Sequence, residues 1–272
     1  EEFSVHTLSI TLPQKQYSIM IEKDLLPNIA KHISACYHCK KIAVVTDQNV
    51  DALYGTTLLD SLSKQGFLVT KIVVPPGEKS KSIAMTEFLY GKFLDFKISR
   101  SDLIIAFGGG VVGDLVGFAA STFLRGVPYI QIPTTLLAQI DSSVGGKVAV
   151  NLPNGKNLIG TFYHPEAVYI DPALLTTLPI RVLRDGIAEV IKYSAISKTT
   201  LFDDLRRYHD EQELLENIQG VIATCCQIKQ TFVEKDEKDT GLRMTLNFGH
   251  TIGHAIENYF NYETYTHGEG VA

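Results

Sequence analysis

The sequence of 272 residues contains no long hydrophobic run, because its apolar residues occur in short segments. A helix that crosses a bilayer needs roughly 20 consecutive apolar residues, so the sequence predicts no membrane span. The first residues also lack the basic and apolar regions of a secretory signal. We therefore expect a soluble, cytoplasmic protein with no membrane partner.

An excess of basic residues is also absent, since 25 Lys and Arg against 30 Asp and Glu give a net charge of −5. Proteins that bind duplex nucleic acid need a basic face that neutralises phosphates, and the composition excludes such a partner. Four cysteines are few and fit a reducing compartment. Cys36 and Cys39 form a lone CxxC pair without the second pair of a four-ligand zinc site, so we interpret all four as structural.

The apolar pattern changes character near residue 175. Short β-rich segments at 41–46, 68–74, 102–107 and 129–132 alternate with helical patterns, which is typical of a parallel sheet covered on both faces. Later segments carry helical periodicity instead, at 183–196, 201–207, 211–233 and 251–260. The sequence therefore predicts an α/β protein with a Rossmann-like parallel-sheet domain over 1–175 and an all-α domain over 176–272.

A glycine-rich loop follows the third of these β-rich segments. Gly108, Gly110 and Gly113 satisfy the pattern GxGxxG between a buried strand and a helix, where backbone N–H groups can approach a pyrophosphate. The loop departs from an ordinary dinucleotide fingerprint, since it follows a late strand and has no acidic residue about 20 positions downstream.

Two other loops follow predicted strands and supply the missing polar groups. Asp47 ends the first β-rich segment and can accept bonds from ribose hydroxyls, and Glu78 and Lys81 follow the second. Each loop alone is ordinary turn chemistry. Three loops at three strand ends predict one dinucleotide crevice, although a mononucleotide would fit the same features.

Charged residues next surround glycines in the segments 140–147 and 155–160. Asp141 and Lys147 flank one glycine pair, and Lys156 follows Gly155. Together with Arg125, the two lysines could bind a phosphate, the lysines as compact charges and the arginine as a fork. The alternative is solvated surface loops, but glycines at these positions permit close approach of the backbone to a ligand.

Three of the eight histidines lie within the last 23 residues. His250 and His254 stand one helical turn apart on one face, a spacing at which two imidazoles can share a metal ion. A pair of this kind arises often by chance, but His267 lies within loop reach, and Arg243 and Asn247 precede the pair. We therefore expect a metal or substrate site here.

An acidic partner for the histidines is found in the first predicted helix of the second domain. Glu189 is set among apolar residues and has Lys192 on the same face at i+3. A surface ion pair is the plain alternative, but a carboxylate in apolar surroundings needs a partner. Two histidines and a carboxylate form the usual ligand set of a catalytic zinc site, so Glu189, His250 and either His267 or His254 would supply it.

Taken together, the segments 108–114, 141–147, 155–157, 188–192 and 246–251 resemble the 3-dehydroquinate synthase family of the shikimate pathway, in the same order along nearly the whole chain. The resemblance implies a lyase that converts the sugar phosphate 3-deoxy-D-arabino-heptulosonate 7-phosphate into 3-dehydroquinate and phosphate. It implies bound NAD that is regenerated in each turnover, a divalent metal that is usually zinc with cobalt as an alternative, and a homodimer.

The resemblance also implies a role for individual positions. For the metal it implies Glu189, His250 and His267, which leaves His254 as a contact of the substrate phosphate. The residues implied for NAD are Asp47, Asn49, Glu78, Lys81, Gly109, Gly110, Asp114, Thr134, Thr135, Lys147, Lys156, Thr177 and Leu178. Those implied for substrate and catalysis are Arg125, Asp141, Lys147, Asn157, Lys192, Lys229, Arg243, Asn247 and His254, with Arg125 reaching across the dimer interface.

Family chains continue through several more helices, which contribute a further lysine to the phosphate site. We therefore expect the second domain to be incomplete at the C-terminus and the activity to be lowered. Three rival functions stay open: another NAD- and metal-dependent sugar-phosphate cyclase, an alcohol or polyol dehydrogenase with the same two-domain plan, and a non-catalytic NAD-binding fragment. Asn247 and His254 together favour the dehydroquinate reaction, because related cyclases commonly vary there.

Overall fold

The computed structural model describes residues 5–260 and 264–271, and within these ranges it contains nine strands and ten α-helices. The strands are β1 His6–Thr11, β2 Gln16–Ile21, β3 Lys41–Asp47, β4 Leu68–Val74, β5 Leu103–Gly108, β6 Tyr129–Pro133, β7 Lys147–Leu152, β8 Gly155–Phe162 and β9 Ala167–Ile170. The α-helices are α1 Ile29–Cys36, α2 Gln48–Val50, α3 Thr56–Lys64, α4 Ile83–Asp95, α5 Gly110–Thr122, α6 Ile180–Ile196, α7 Leu201–Leu205, α8 Glu211–Lys235, α9 His250–Tyr259 and α10 His267–Val271. Shorter 3-10 or π-helical turns lie at Leu26–Asn28, Asp51–Gly55, Glu78–Ser80, Phe123–Arg125, Ala138–Ser142, Pro172–Thr177 and Leu242–Asn247.

Seven strands form one sheet in the order β1-β2-β9-β6-β5-β3-β4. All neighbouring pairs are parallel except β1 and β2, which form an antiparallel pair at the edge. The predicted α/β class with a parallel sheet is confirmed, and the four predicted strands correspond to β3 to β6. The sequence interpretation did not place β1, β2, β9 or the separate β7–β8 hairpin.

The central strands are buried on both faces, as a parallel sheet between helices requires. All six residues of β5 are buried. Because side chains alternate along a strand, Ile104 and Ala106 pack with α4 and α5 on one face, whereas Ile105 and Phe107 pack with α1 and α3 on the other. This packing fixes the strand ends on which the loops of the site are built.

The later helices share a core with the antiparallel edge of the sheet. Ile19 of β2 and Ile170 of β9 lie in one buried cluster with Val190 of α6 and Ile222 of α8. The helical part therefore packs directly on the sheet, through a continuous apolar core. The boundary near residue 175 stays a prediction.

The chain reverses its direction of winding between β3 and β5. β3 and β5 are neighbours in the sheet. From β3 the chain continues outward to β4 on one side of this pair, and from β5 it continues outward to β6 on the other side. Open α/β sheets bind ligands outside the carboxyl ends of strands at such a point. Asp47 ends β3 and Gly108 ends β5, so the fold opens a crevice where two of the three predicted loops meet.

Two other sequence expectations concern the membrane and the cysteines. Across residues 5–260 and 264–271, no helix is both long and apolar enough to span a bilayer. The four cysteines are free thiols, with Cys225 and Cys226 buried in α8. Among the described residues, the clusters able to hold a metal ion contain no cysteine.

Candidate active site

The crevice between the ends of β3 and β5 is a largely apolar cavity of about 390 Å³. It gathers residues from the ends of four strands, β3, β4, β5 and β6, and from the turn that leads into α6. The predicted cofactor residues that line it are Asp47, Asn49, Gly109, Gly110, Thr134, Thr135, Thr177 and Leu178. A cleft of this kind, with few polar groups at its rim, suits the flat, partly apolar parts of a nucleotide.

The N-terminus of α5 provides the anion-binding element of this crevice. Gly109 precedes the helix without a side chain that caps it, so the first backbone N–H groups of α5 keep their hydrogen-bonding capacity. A Cβ atom at Gly109 would lie 3.1 Å from Cγ2 of Thr135, and one at Gly110 would lie 2.9 Å from Oγ of Ser142. Glycines therefore let the loop fit here, and the helix N-terminus fits a pyrophosphate.

Asp47 is held in place by the short helix that follows β3. Its Oδ1 accepts hydrogen bonds from the backbone N–H groups of Asn49 at 2.8 Å and Val50 at 3.1 Å. These cap bonds fix the carboxylate at the mouth of the crevice. The hydroxyls of Tyr54 and Thr177, which also line the crevice, lie 2.7 Å apart.

A second cavity of about 540 Å³ adjoins the crevice and shares Gly110 and Val111 with it. The predicted cofactor residues Glu78, Lys81, Asp114 and Lys156 line it. Its floor is built by Lys81, which is only 5% exposed and donates to the carboxylate of Asp114 and to the side-chain oxygen of Asn157. The ammonium group of Lys81 thus joins α5 to the β7–β8 hairpin.

A third cavity of about 580 Å³ continues from the second and shares Asp114, Ser142 and Asn157 with it. Four basic and two acidic side chains line this third cavity. The predicted substrate residues in its wall are Asp141, Lys147, Asn157, Lys192, Lys229, Arg243 and Asn247. A local basic excess in a chain of net charge −5 favours a small anionic ligand.

Asp141 is the centre of a charge network in this wall. The ammonium group of Lys229 forms a salt bridge with the carboxylate of Asp141, and Nζ of Lys192 lies 3.8 Å from Oδ2 of that carboxylate. The Tyr193 hydroxyl donates a hydrogen bond to Oδ1 of Asp141 at 3.1 Å. Burial alone would raise the pKa of Asp141, but the two lysines outweigh burial and hold that pKa well below its usual range. Both lysines are consequently fixed with their ammonium groups at the cavity.

Arg243 shapes the cavity through the backbone. It is 2% exposed, and its guanidinium donates to the carbonyl oxygen of Glu237 at 2.7 Å and to that of Gly145 at 2.9 Å. Gly145 and Gly146 have positive φ angles of 102° and 68°, a conformation that favours glycine. Arg243 therefore holds the glycine turn that leads into Lys147, and Lys147 itself pairs with Asp239.

Glu189, His250 and His267 converge at the boundary of the second and third cavities. Their ligand atoms lie within 4.8 Å of one another. Oε1 of Glu189 lies 3.5 Å from Nε2 of His250 and 3.4 Å from Nε2 of His267. α6, α9 and α10 each contribute one of these side chains.

The surroundings of Glu189 test whether this group suits a metal ion. Its side chain is completely buried and is paired with Lys192, yet within the described part of the chain neither oxygen makes a well-formed hydrogen bond. Burial lowers the pKa of His267, but the adjacent carboxylates of Glu189 and Glu257 outweigh burial and raise that pKa to about 10. A cation is favoured at this point, and a divalent ion could replace the proton.

His254 occupies a different position from His250. It is exposed and lines the second cavity beside His267, whereas His250 lines the third. The rings of His250 and His254 meet edge to face, with centroids 5.3 Å apart. The two clusters found among the described residues are Glu189–His250–His267 and His254–Glu257–His267, so the geometry separates the two histidines of the pair.

Glu257 is a polar residue of the site that the sequence interpretation missed. It is 5% exposed, and its Oε2 lies 3.3 Å from Nδ1 of His267. The spacing in the sequence indicates this position, because His250, His254 and Glu257 stand at i, i+4 and i+7 and so share one face of α9.

The expectation that Arg125 joins Lys147 and Lys156 in a phosphate site stays a prediction, because the structure of the single chain does not bring Arg125 to these lysines. Arg125 follows the C-terminal end of α5, whose N-terminus is at the crevice. A helix of 13 residues spans about 20 Å, and Arg125 is exposed at the far end and lines none of the three cavities. The other predicted site residues line a cavity or, for Glu189, lie buried beside one.

The sequence model of the N-terminal part of 3-dehydroquinate synthase matches residues 71–185, and that of the C-terminal part matches residues 186–272. The 3-dehydroquinate synthase of Clostridium acetobutylicum is 56% identical over 266 residues, which cover 98% of this chain and 75% of that protein.

Solved structures of two synthases are similar over most of the chain. 2-Deoxy-scyllo-inosose synthase, complexed with carbaglucose-6-phosphate, NAD+ and Co2+, matches with a TM-score of 0.86 and 26% identity, covering 98% of this chain and 74% of that chain. 2-Epi-5-epi-valiolone synthase from Streptomyces hygroscopicus subsp. jinggangensis 5008, with NAD+ and Zn2+ bound, matches with a TM-score of 0.86 and 29% identity, covering 96% and 73%.

Proposed function

This chain belongs to the 3-dehydroquinate synthase family, and we propose that its three connected cavities form one active site for the reaction of that family. The chain acts in the shikimate pathway as a phosphate-eliminating lyase, which converts 3-deoxy-D-arabino-heptulosonate 7-phosphate into 3-dehydroquinate and phosphate. The observation that carries the site assignment is the order of the cavities, each of which shares lining residues with the next.

The first cavity and the second cavity that adjoins it would together hold NAD, through the predicted cofactor residues that line them. The N-terminus of α5 would hold the pyrophosphate, and Asp47 would hold a ribose. Glu189, His250 and His267 would hold a divalent metal, with zinc or cobalt as in the related structures. When bound, NAD supplies reversible hydride transfer, and the metal polarises a substrate oxygen that gains negative charge.

The basic third cavity binds the sugar phosphate. Lys147 and Asn247 would contact the phosphate there, and His254 would approach it from the second cavity. Lys192 and Lys229, both held by Asp141, present N–H donors to the substrate oxygens, and the fixed geometry reduces the entropy cost of reaching the transition state. These side chains mainly bind and orient the substrate.

We also propose that the chain forms a homodimer and that it acts in the cytoplasm. An exposed Arg125 that lines none of the three cavities can contribute to a phosphate site only from a second copy of the chain, which supports a homodimer. Four free thiols fit a reducing compartment, which supports a cytoplasmic location.

The stoichiometry of turnover separates this function from its rivals. The protein, loaded with zinc and a substoichiometric amount of NAD, is incubated with the heptulosonate phosphate while phosphate and NADH are both measured. We expect many equivalents of phosphate per NAD and no accumulated NADH. Net NADH without phosphate would indicate a dehydrogenase, and NAD binding without turnover would indicate a non-catalytic fragment.

Metal analysis of three histidine variants tests the ligand assignment. His267→Ala removes one of three ligands, so we expect the purified variant to lose its zinc. His254→Ala is expected to retain zinc and to raise the KM for the sugar phosphate. Loss of zinc from His254→Ala, with zinc retained by His250→Ala, would contradict the assignment.

A further inference from the structure

Glu257 lies on the same face of α9 as His250 and contacts His267 from the side opposite Glu189. Nε2 of His267 lies 3.4 Å from Oε1 of Glu189, whereas its Nδ1 lies 3.3 Å from Oε2 of Glu257. The two nitrogens of one ring therefore face two different carboxylates. Only Nε2 points to the place where Glu189 and His250 converge.

The chemistry of imidazole gives this division a consequence. A neutral histidine that binds a metal offers a lone pair from one nitrogen and carries a proton on the other. A carboxylate that accepts this N–H fixes the tautomer, holds the plane of the ring and increases the basicity of the ligating nitrogen. Glu257 stands where such a carboxylate is needed.

The surroundings of Glu257 compensate the charge of the carboxylate that is to accept this hydrogen bond. Its side chain is 6% exposed, and a buried carboxylate is costly unless it is paired. Its second oxygen, Oε1, lies 3.9 Å from Nζ of Lys156 on strand β8. One oxygen is thus compensated by a lysine, and the other is directed at His267.

We propose that Glu257 is a positioning residue for the metal site: it accepts the Nδ1–H of His267 and so presents the Nε2 lone pair of that ring to the metal. The inference rests on the ligand set Glu189, His250 and His267 of the proposed function. It adds a residue that acts through His267, in the relation that carboxylates commonly have to ligating histidines.

The competing assignment makes Glu257 a ligand itself. His254, Glu257 and His267 also bring their ligand atoms within 4.8 Å of one another. Against it, this cluster leaves the buried carboxylate of Glu189 outside the ligand set. It would also require the carboxylate of Glu257 to face the metal, whereas in the structure its Oε2 faces Nδ1 of His267.

The test is the zinc affinity of three variants of the full chain, measured by competition with a chromophoric chelator. Glu257→Ala removes the acceptor, and we expect the affinity to fall roughly 10- to 100-fold. Glu257→Gln keeps an acceptor without the charge, and we expect an intermediate loss. Glu216→Gln, on the exposed face of α8, is the matched control and should bind zinc as the unaltered chain does.

The absorption spectrum of the cobalt-loaded protein gives a second readout that does not depend on activity. If Glu257 only positions His267, Glu257→Gln keeps the coordination number and therefore the intensity of the cobalt bands. A changed intensity would show that Glu257 is a ligand and would overturn the proposal. Unchanged zinc affinity in Glu257→Ala would overturn it as well.

The histidine variants separate the failure of this inference from the failure of the proposed ligand set. Zinc lost from His250→Ala but retained by His254→Ala upholds the ligand set, and an unaffected Glu257→Ala then refutes the positioning role alone. The reverse pattern for the two histidines refutes both. Circular dichroism of each variant confirms that it is folded before its affinity is compared.

Discussion

At the scale of single residues, the site depends on charges that are buried together. Asp141 compensates Lys229 and Lys192, and Lys192 in turn compensates Glu189. A buried pair contributes little net stability as a whole, but the removal of one partner leaves an uncompensated charge. The contacts of Asp141 that hold two lysines at the proposed substrate cavity therefore also make the stability of the fold depend on the charge of Asp141.

Asp141→Asn should therefore destabilise the protein by about 3–5 kcal/mol near neutral pH. The folded-state pKa of Asp141 lies below its ordinary value, so the stability that its charge provides is present above the unfolded pKa of about 3.9 and is lost as the pH falls through the folded-state pKa. Urea unfolding of both proteins from pH 7 to pH 3 measures the difference. We expect a constant gap above about pH 4 that narrows below; a gap that persists unchanged at pH 3 would contradict this role.

At the scale of elements, α6 must approach the turn Ala138–Ser142 closely to present Glu189. Gly186, one turn before Glu189, lies against the preceding segment, where an added Cβ would come within 2.6 Å of Cβ of Leu136 and 2.8 Å of the backbone nitrogen of Leu137. The contact includes backbone, which cannot move aside as a flexible side chain can. The absence of a side chain at Gly186 therefore positions the ligand.

Gly186→Ala is expected to cost about 1–3 kcal/mol of stability, although alanine is the better helix former. Gly220→Ala is the matched control, because Gly220 is also helical and has no atom within 4 Å of the added Cβ. It should stabilise the protein by about 0.5–1 kcal/mol. Urea unfolding compares both; equal effects of the two substitutions would show that the close approach of α6 is not required.

At the scale of the whole molecule, the fold brings together loops that are far apart in the sequence. The α/β class, the central strands and the helices after residue 175 were predictable, because β3 to β6 are apolar runs and α6 and α8 have clear helical periodicity. The β7–β8 hairpin was not, since its glycines and lysines look like loops and its pairing follows from packing on α5. Sequence order could not show that His267 turns one nitrogen to Glu189 and the other to Glu257.

In the proposed homodimer, Arg125 of one chain would complete the phosphate site of the other chain, so that each active site would need both chains. Arg125→Ala and Lys192→Ala are each expected to be nearly inactive, because each removes a cation from every site. A mixed dimer would contain one site with both residues intact. Equal mixtures after subunit exchange should recover up to about a quarter of the original activity; no recovery, with mixed dimers shown by mass spectrometry, would place both residues in one chain.

In the proposed active site, cofactor, metal and substrate would meet in one connected cavity, so that a hydride would leave the substrate and return to it within a single turnover. The direct measurement uses heptulosonate phosphate that carries deuterium at the carbon that NAD oxidises, with NAD in catalytic amount. We expect the 3-dehydroquinate to retain the deuterium in full while phosphate is released. Deuterium found in the NAD pool in proportion to product, or lost from the product to solvent, would contradict it.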